Sequence, residues 1–303
     1  MKSQSTFRTR QLKKKTTKKT TRESPISQKV CPPPLLNALK VSAERNAARF
    51  HFPRHNRGRA GPSSFTQHIG LKPFMHDLPN LPELDNLFYP EGPILEAQQQ
   101  AAKLFEASET WFLVGGTTCE IQAAIMATCS PRDHIIFPRN SHVSVILALV
   151  LSGAIPKYIM PMYDSNWDIV GEVTPSEASI CYVKGIPLIV DEAHGTHFGF
   201  QPQLPLSALQ QGADLAIQST HKVLCSLTQS SMLHMSGDLV DRERVCGCLK
   251  TLQSTSPSYL LLASLDSTRA QLSDDPDKVF NRAIDLAYQA KKQDKQDFKY
   301  LNP

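Results

Sequence analysis

The sequence predicts an α/β fold, a mainly parallel sheet flanked by helices, on three observations. From residue 93 onward, short apolar strand candidates alternate with helical periodicity across short loops, the pattern of a parallel sheet with helices on both faces. Hydrophobic residues make up 41% of the 303, enough core for one large α/β domain or two small ones. No run of eighteen apolar residues occurs, which argues against a membrane span; the longest oily stretch, Val143–Ala154, has core-helix length and includes Ser144 and Ser152.

Element by element, residues 1–30 are rich in Ser, Thr, Lys and Arg with Glu23 the only acid, and such a segment cannot bury enough apolar surface to order itself. It reads as a transit peptide to a chloroplast or other organelle, since those are basic, hydroxyl-rich and poor in acids. A solvated tail on a cytoplasmic protein is the alternative, as is a nuclear address in the Lys13–Lys19 cluster. After Cys31-Pro-Pro-Pro, Leu35–Ala48 has helical periodicity, and residues 50–92, dense in Pro, Gly, His and Phe, form an irregular arm. The major domain, 93–290, begins with an amphipathic helix at Ile94–Ser108 and a buried strand at Thr110–Val114. Helices follow at Cys119–Thr128, His142–Ser152 and Leu204–Gln211, with strands at His134–Phe137, Pro156–Met160, Pro187–Val190 and Leu215–Ile217. A polar helix at Val279–Lys292 leads into a charged tail, 291–303.

Charge is unevenly spread. Residues 1–60 carry 16 Lys/Arg against 2 Asp/Glu, a net of +14; the rest carry 17 against 26, a net of −9, giving +5 for the chain. The basic character belongs to the extension, so a nucleic-acid-binding core is excluded as the main function. The seven cysteines are scattered without a Cys-x-x-Cys pair, and Cys246-Gly-Cys248 is too tight for zinc. They read as buried or semi-buried free thiols of a reducing compartment, with no metal site.

Three strand ends carry chemistry, where open α/β sheets bind their ligands. Val114-Gly-Gly116-Thr117-Thr118 links a strand to a helix; glycines let the backbone curl, and the helix N-terminus offers free N–H groups to a phosphate. A plain helix cap is the bland alternative. Pro187-Leu-Ile-Val-Asp191-Glu-Ala193-His194 ends an apolar strand on a carboxylate, which either caps the next turn or faces a bound cation. The same DEAH string occurs in helicases, but those need a Walker loop that is absent here. In Gln218-Ser219-Thr220-His221-Lys222 the lysine sits where desolvation would free its amine as a nucleophile. Together these supply what pyridoxal 5'-phosphate requires: a phosphate cradle, an acid for the pyridine nitrogen and a Schiff-base lysine.

The run IPLIVDEAHGTHFGFQPQLPLSALQQGADLAIQSTHKVLCSLTQSSML, with WFLVGGTTCEIQAAIMA and RNSHVSVILALVLSGA before it and STSPSYLLLASLD after, resembles the major domain of the ornithine/lysine/arginine decarboxylases. The resemblance covers roughly residues 45–290 and implies the aminotransferase-like large domain, PLP fold type I. It implies that Lys222 forms the Schiff base, Asp191 pairs with the ring nitrogen, and His142 stacks on the ring. Gly116, Thr117, Ser219 and His221 match the phosphate side with Thr118 beside them. Ala193 would lie against the other ring face and His194 near the substrate carboxylate. Thr255 and Ser256 match a segment reaching the neighbouring subunit's cofactor, which implies a homodimer or higher homo-oligomer. The function implied is decarboxylation of arginine, lysine or ornithine to the amine and CO2, with no nucleic-acid or membrane partner. The alternatives are a truncated, inactive member or splice product and, of the same fold, an aminotransferase.

The chain departs from that family in three places. In FHFPRHNRG, Arg54 and Asn56 stand where the family has glycine and lysine; a glycine needing positive φ would make Arg54 poorly tolerated. Between Met160 and Pro187 about one strand and one helix are missing, and Cys181-Tyr-Val-Lys-Gly reads as the tail of a helix without its body. Unpaired sheet edges beside the site are expected. The smaller C-terminal domain that closes over the substrate is also expected to be absent.

Overall fold

The alternation of apolar strands and helices yields the expected α/β layering. The computed structural model describes residues 32–45, 51–165, 168–171, 181 and 183–301, so the transit-peptide expectation lies outside the described residues. In chain order the elements are α1 (Pro34–Glu44), α2 (Ser63–Ile69), α3 (Lys72–His76), α4 (Pro93–Leu104), β1 (Glu109–Leu113), α5 (Gly116–Thr128) and β2 (His134–Pro138). There follow α6 (Val143–Ser152), β3 (Ile155–Ile159), β4 (Tyr163–Asp164), β5 (Ile169–Val170), β6 (Ile189–Asp191) and β7 (Leu215–Gln218). The last are α7 (Thr220–Val223), β8 (Ser231–Met235), α8 (Arg242–Leu252), α9 (Tyr259–Asp274) and α10 (Pro276–Leu301).

The main sheet has the order β1-β8-β7-β6. β6 and β7 pair in parallel, with Val190 opposite Ala216. β8 runs antiparallel to both β7 and β1, so β1, β7 and β6 share one direction and β8 alone is reversed. The core follows from this order, because β7 and β8 are buried along their whole length. Leu215, Ile217 and Leu233 face α5 through Ile121, Ala124 and Ile125, and Ala216 faces Ala208, Leu209 and Ala213 on the other side. Each fully buried Leu or Ile contributes about 1.5–3 kcal/mol. α1, α4 and α9 close the second core with Leu35, Leu39, Ile94, Leu262 and Leu265 against Phe112 of β1.

Among the described residues β6 pairs only with β7, and β2 pairs only with β3 in a separate parallel ladder. Residues 181, 183 and 184 are helical and lead through Gly185 toward β6. α6 turns its small stripe, Ser144, Ala148 and Ser152, inward, while Val143, Ile146, Leu147, Val150 and Leu151 stand in solvent, Val150 at 79% exposure. Residues at that spacing share one helix face, so a large apolar stripe is uncovered.

Several expectations need correction. Leu204–Gln211 is a series of turns and not a helix. Pro205 removes one donor, while Gln210 Oε1 and Glu192 Oε1 accept from the N–H groups of Ser207 and Ala208. α4 ends at Leu104, because Glu106 turns left-handed at φ 56°. The charged tail is helical as far as Leu301. Cys225 is exposed and not semi-buried, whereas burial pushes the Cys119 thiol up to about 12. Arg54 is not in the left-handed region; Asn56 and Arg57 are, at φ 47° and 55°. Arg57 is buried there because its guanidinium donates to the carbonyls of Ser42, Ala43 and Arg45 at the end of α1. No helix among the described residues is long and apolar enough to cross a membrane.

Candidate cofactor site

β1 runs through Val114 and Gly115 into α5, and Gly115, as its N-cap, provides no side-chain cap. The first-turn N–H groups of this 13-residue helix are therefore free to meet an anion. Gly116 has φ +71°, a left-handed conformation that a glycine adopts without strain. Thr117 Oγ1 lies 2.7 Å from Ser219 Oγ, which ties this strand end to the one carrying Lys222. Thr220 Oγ1, in the same turn, is buried without a partner, while Thr118 is exposed.

Asp191 ends β6 opposite Ile217. Its side chain is exposed and its Oδ1 accepts from Ala193 N at 3.1 Å, so the carboxylate is not buried at the head of a closed strand as the sequence suggested. Among the described residues β6 has β7 as its one neighbour, and the end of such a strand lies in water. Ala193 is buried behind it. The turn that follows is tight: a Cβ on Gly195 would stand 2.5 Å from Glu192 Cγ and 2.8 Å from the Phe198 ring, so only glycine fits.

Lys222 lies on α7, immediately after β7, with its Nζ 3.3 Å from His194 Nε2. It too is exposed, which corrects the expectation that the fold desolvates its amine; with β6 at an open edge, nothing among the described residues covers it. His221 Nδ1 donates to Ser230 O at 2.9 Å, fixing the turn against the start of β8. The structure thus joins Thr117 with Ser219, Lys222 with His194, and Asp191 with Ala193. It does not join His142 to them. That residue caps α6, its Nδ1 accepting from Ser144 N at 3.3 Å, in the unit that carries the separate β2–β3 ladder. Thr255 and Ser256 are exposed in the loop between α8 and α9.

A buried relay beneath these strand ends was not anticipated from the sequence. Thr110 O–H donates to His234 Nδ1 at 2.8 Å, and His234 Nε2–H donates to Gln218 Oε1 at 3.0 Å. Gln218 Nε2 then donates to Glu192 Oε2 at 2.8 Å, and Ala208 N to Glu192 Oε1 at 2.8 Å. The signal available was four polar residues on or just after strands that pair. Burial lowers the His234 imidazole to about 3, and burial raises the Glu192 carboxyl despite its two donors. Glu120, one turn into α5, is fully buried beside the Ser231 hydroxyl, and burial raises its carboxyl well above the usual value.

His234 makes stability depend on pH. Its folded value lies below the unfolded value of about 6.5, so its contribution is complete above that pH and is lost as pH falls toward 3. Urea unfolding is expected to lose up to about 4 kcal/mol over this window through His234, and His234→Gln should flatten that part of the profile. An unchanged slope in the variant would show that His234 is not the group responsible.

Comparisons with known proteins agree with the geometry. The family profile described as "Orn/Lys/Arg decarboxylase, major domain" matches residues 33–185 and 178–303, two stretches that meet just before β6. The arginine decarboxylase of Bacillus subtilis (strain 168) is 39% identical over 289 residues, covering 85% of this chain and 59% of that protein. Since 85% of 303 residues is about 258, about 31 of those 289 positions have no residue here. The lysine decarboxylase LdcA of Pseudomonas aeruginosa is 26% identical over 299 residues, 79% of this chain and 40% of that one. The crystal structure of the Francisella novicida lysine decarboxylase LdcF superposes with a TM-score of 0.75 at 23% identity, over 87% of this chain and 44% of that one. The shared fold is the aminotransferase-like large domain, and the chain spans well under two thirds of the length of these relatives. This chain belongs to the Orn/Lys/Arg decarboxylase family, whose major domain its motifs and fold reproduce.

Proposed function

We propose that the chain binds pyridoxal 5'-phosphate at these strand ends and decarboxylates a basic amino acid, arginine before lysine or ornithine. The carrying observation is the Lys222–His194 contact of 3.3 Å at the end of β7, in the turn that Ser219 ties to Thr117. The residues present fit the cofactor. The uncapped start of α5, the Thr117–Ser219 pair and the orphan Thr220 hydroxyl form a donor set for phosphate. Arginine ranks first because the relative named arginine decarboxylase shares 39% identity, against 26% for the one named lysine decarboxylase.

When bound, pyridoxal phosphate supplies an electron sink for the pair released as CO2 leaves. The chain's own residues do the rest. Thr117, Ser219 and the N–H groups of α5 hold the phosphate. Asp191 faces the ring nitrogen and keeps its proton, because a carboxylate there favours the charged form. Lys222 anchors the cofactor through Nζ, and His194 Nε2 holds or passes a proton at that atom. His142 stacks on the ring by family likeness. The assembly proposed is a homodimer, with Thr255 and Ser256 reaching the partner's cofactor; the compartment proposed is an organelle, reached through residues 1–30.

A second reading, a cofactor-binding but inactive family member, is favoured by the open β6 edge and the exposure of Asp191 and Lys222. One experiment decides between them. Purified chain mixed with pyridoxal phosphate is expected to develop a visible absorbance band and to release CO2 from arginine. A band without CO2 from arginine, lysine or ornithine selects the inactive reading, and no band sinks both.

A further inference from the structure

We propose that Glu192 and Gln218 form a positioning clamp that sets Asp191 against Lys222, with His234 and Thr110 completing its hydrogen bonds. The inference rests on the cofactor site proposed above and adds two residues to it that touch neither cofactor nor substrate.

Asp191 and Lys222 come from different strands and must meet opposite ends of one small ring. The parallel β6–β7 ladder holds the strands together only as far as Asp191 and Ile217, and β6 has no second neighbour among the described residues. Beyond the ladder, Glu192 N donates to Ile217 O at 2.9 Å, and the Glu192–Gln218 side-chain bond of 2.8 Å spans the same gap. Glu192 is the residue between Asp191 and Ala193, and Gln218 directly precedes Ser219. The clamp therefore links the two backbones at the point where both functional side chains leave them.

Its direction is fixed. Gln218 could present its amide either way round, but His234 Nε2–H donates to Oε1, leaving Nε2 for Glu192. The carboxylate of Glu192 only accepts, so it takes the Gln218 N–H, turns Oε1 toward His234 Nε2–H and leaves Nδ1 to accept from the Thr110 hydroxyl. All four residues are at least nine-tenths buried, so no water replaces a lost partner.

The test exchanges the pair. Glu192→Gln sets an amide N–H against a donor, and Gln218→Glu sets two carboxylates together. The double variant Glu192→Gln/Gln218→Glu satisfies every group again. In it the amide now at position 192 accepts from Ala208 N and donates across the gap, while the carboxylate now at position 218 accepts from that amide and from His234. Each single variant is expected to weaken pyridoxal phosphate affinity about tenfold or more. The midpoint of the pH titration of the absorbance band should move as well. The exchange should restore both to within about threefold of the parent. Amide hydrogen exchange of the cofactor-free chain should show residues 191–196 and 217–222 opening together in the single variants and closing again in the double.

Single variants that bind as the parent does overturn the clamp, as does a folded double variant that binds no better than the singles. Where the single variants fail to fold, the double variant alone decides by the same criterion. If the parent takes up no pyridoxal phosphate, the proposed function fails, and the exchange data judge the clamp separately. Unchanged exchange in both segments then overturns it, and joint opening that the double variant reverses upholds it.

Discussion

Lys222→Ala is expected to abolish the visible absorbance band with pyridoxal phosphate and to lower CO2 release from arginine at least about a thousandfold. The lysine is the one amine at the end of β7, and its neighbour His194, at 3.3 Å, carries no primary amine that could replace it. Because Lys222 is exposed, its removal opens no cavity, and far-UV circular dichroism and the unfolding midpoint should be unchanged. Lys222→Arg separates charge from covalent chemistry. It keeps a cation beside His194 but cannot form an imine, so it should fail as completely as alanine. Retention of the band in either variant would place the anchor elsewhere and remove the central residue of the proposed function.

Asp266→Ala carries the largest expected effect on stability, a loss of about 3–5 kcal/mol. Asp266 is fully buried on α9, accepts from Leu35 N at 2.9 Å and Leu36 N at 3.3 Å, and pairs with Arg269 at 2.7 Å. α1 has no cap of its own, since Pro33 precedes it, so this carboxylate from 231 residues away does the capping. Alanine strips the acceptor from two helix N–H groups and removes the ion pair of a guanidinium that is 1% exposed. Burial raises the Asp266 carboxyl and Arg269 opposes that, which marks a pair costly to desolvate but costlier to break. Asp266→Asn keeps one acceptor for α1 and should lose about half as much. Urea unfolding reads both, and a loss under about 1 kcal/mol for alanine would show that α1 is capped some other way. Against a total of roughly 5–15 kcal/mol, a loss of that size is a large fraction of the stability of a domain.

The open β6 edge connects the fold to these expectations. Asp191, Lys222 and His194 are all exposed, and the apolar stripe of α6 is uncovered on the side of the molecule that carries the β2–β3 ladder. A decarboxylase stabilises developing charge better when water is kept out.

The elements legible in the sequence were those whose burial is one-sided or complete. Leu215–Ile217 and Thr110–Val114 read as core strands because no polar residue interrupts them, and β7 and β1 lie there. The strand-end motifs were legible because glycine, hydroxyl, carboxylate and amine follow apolar runs in a fixed order. β8 was not legible. Ser231 and His234 break its apolar run, and the imidazole is tolerated only because Thr110 and Gln218 lie on the strands either side. Leu204–Gln211 failed for a similar reason, since helical spacing cannot show that Glu192 takes the N–H of Ala208.

Local pattern was enough for the α/β class, the family, the three strand ends and the place where an element is missing, because all of these depend on periodicity and on residue types in order. It took the folded arrangement to show that β6 has one neighbour among the described residues, that Asp191 and Lys222 are exposed, and that Glu192, Gln218, His234 and Thr110 form one relay. Exposure and side-chain partnership depend on which strands lie side by side, and strand order is a property of the folded chain that no local pattern encodes.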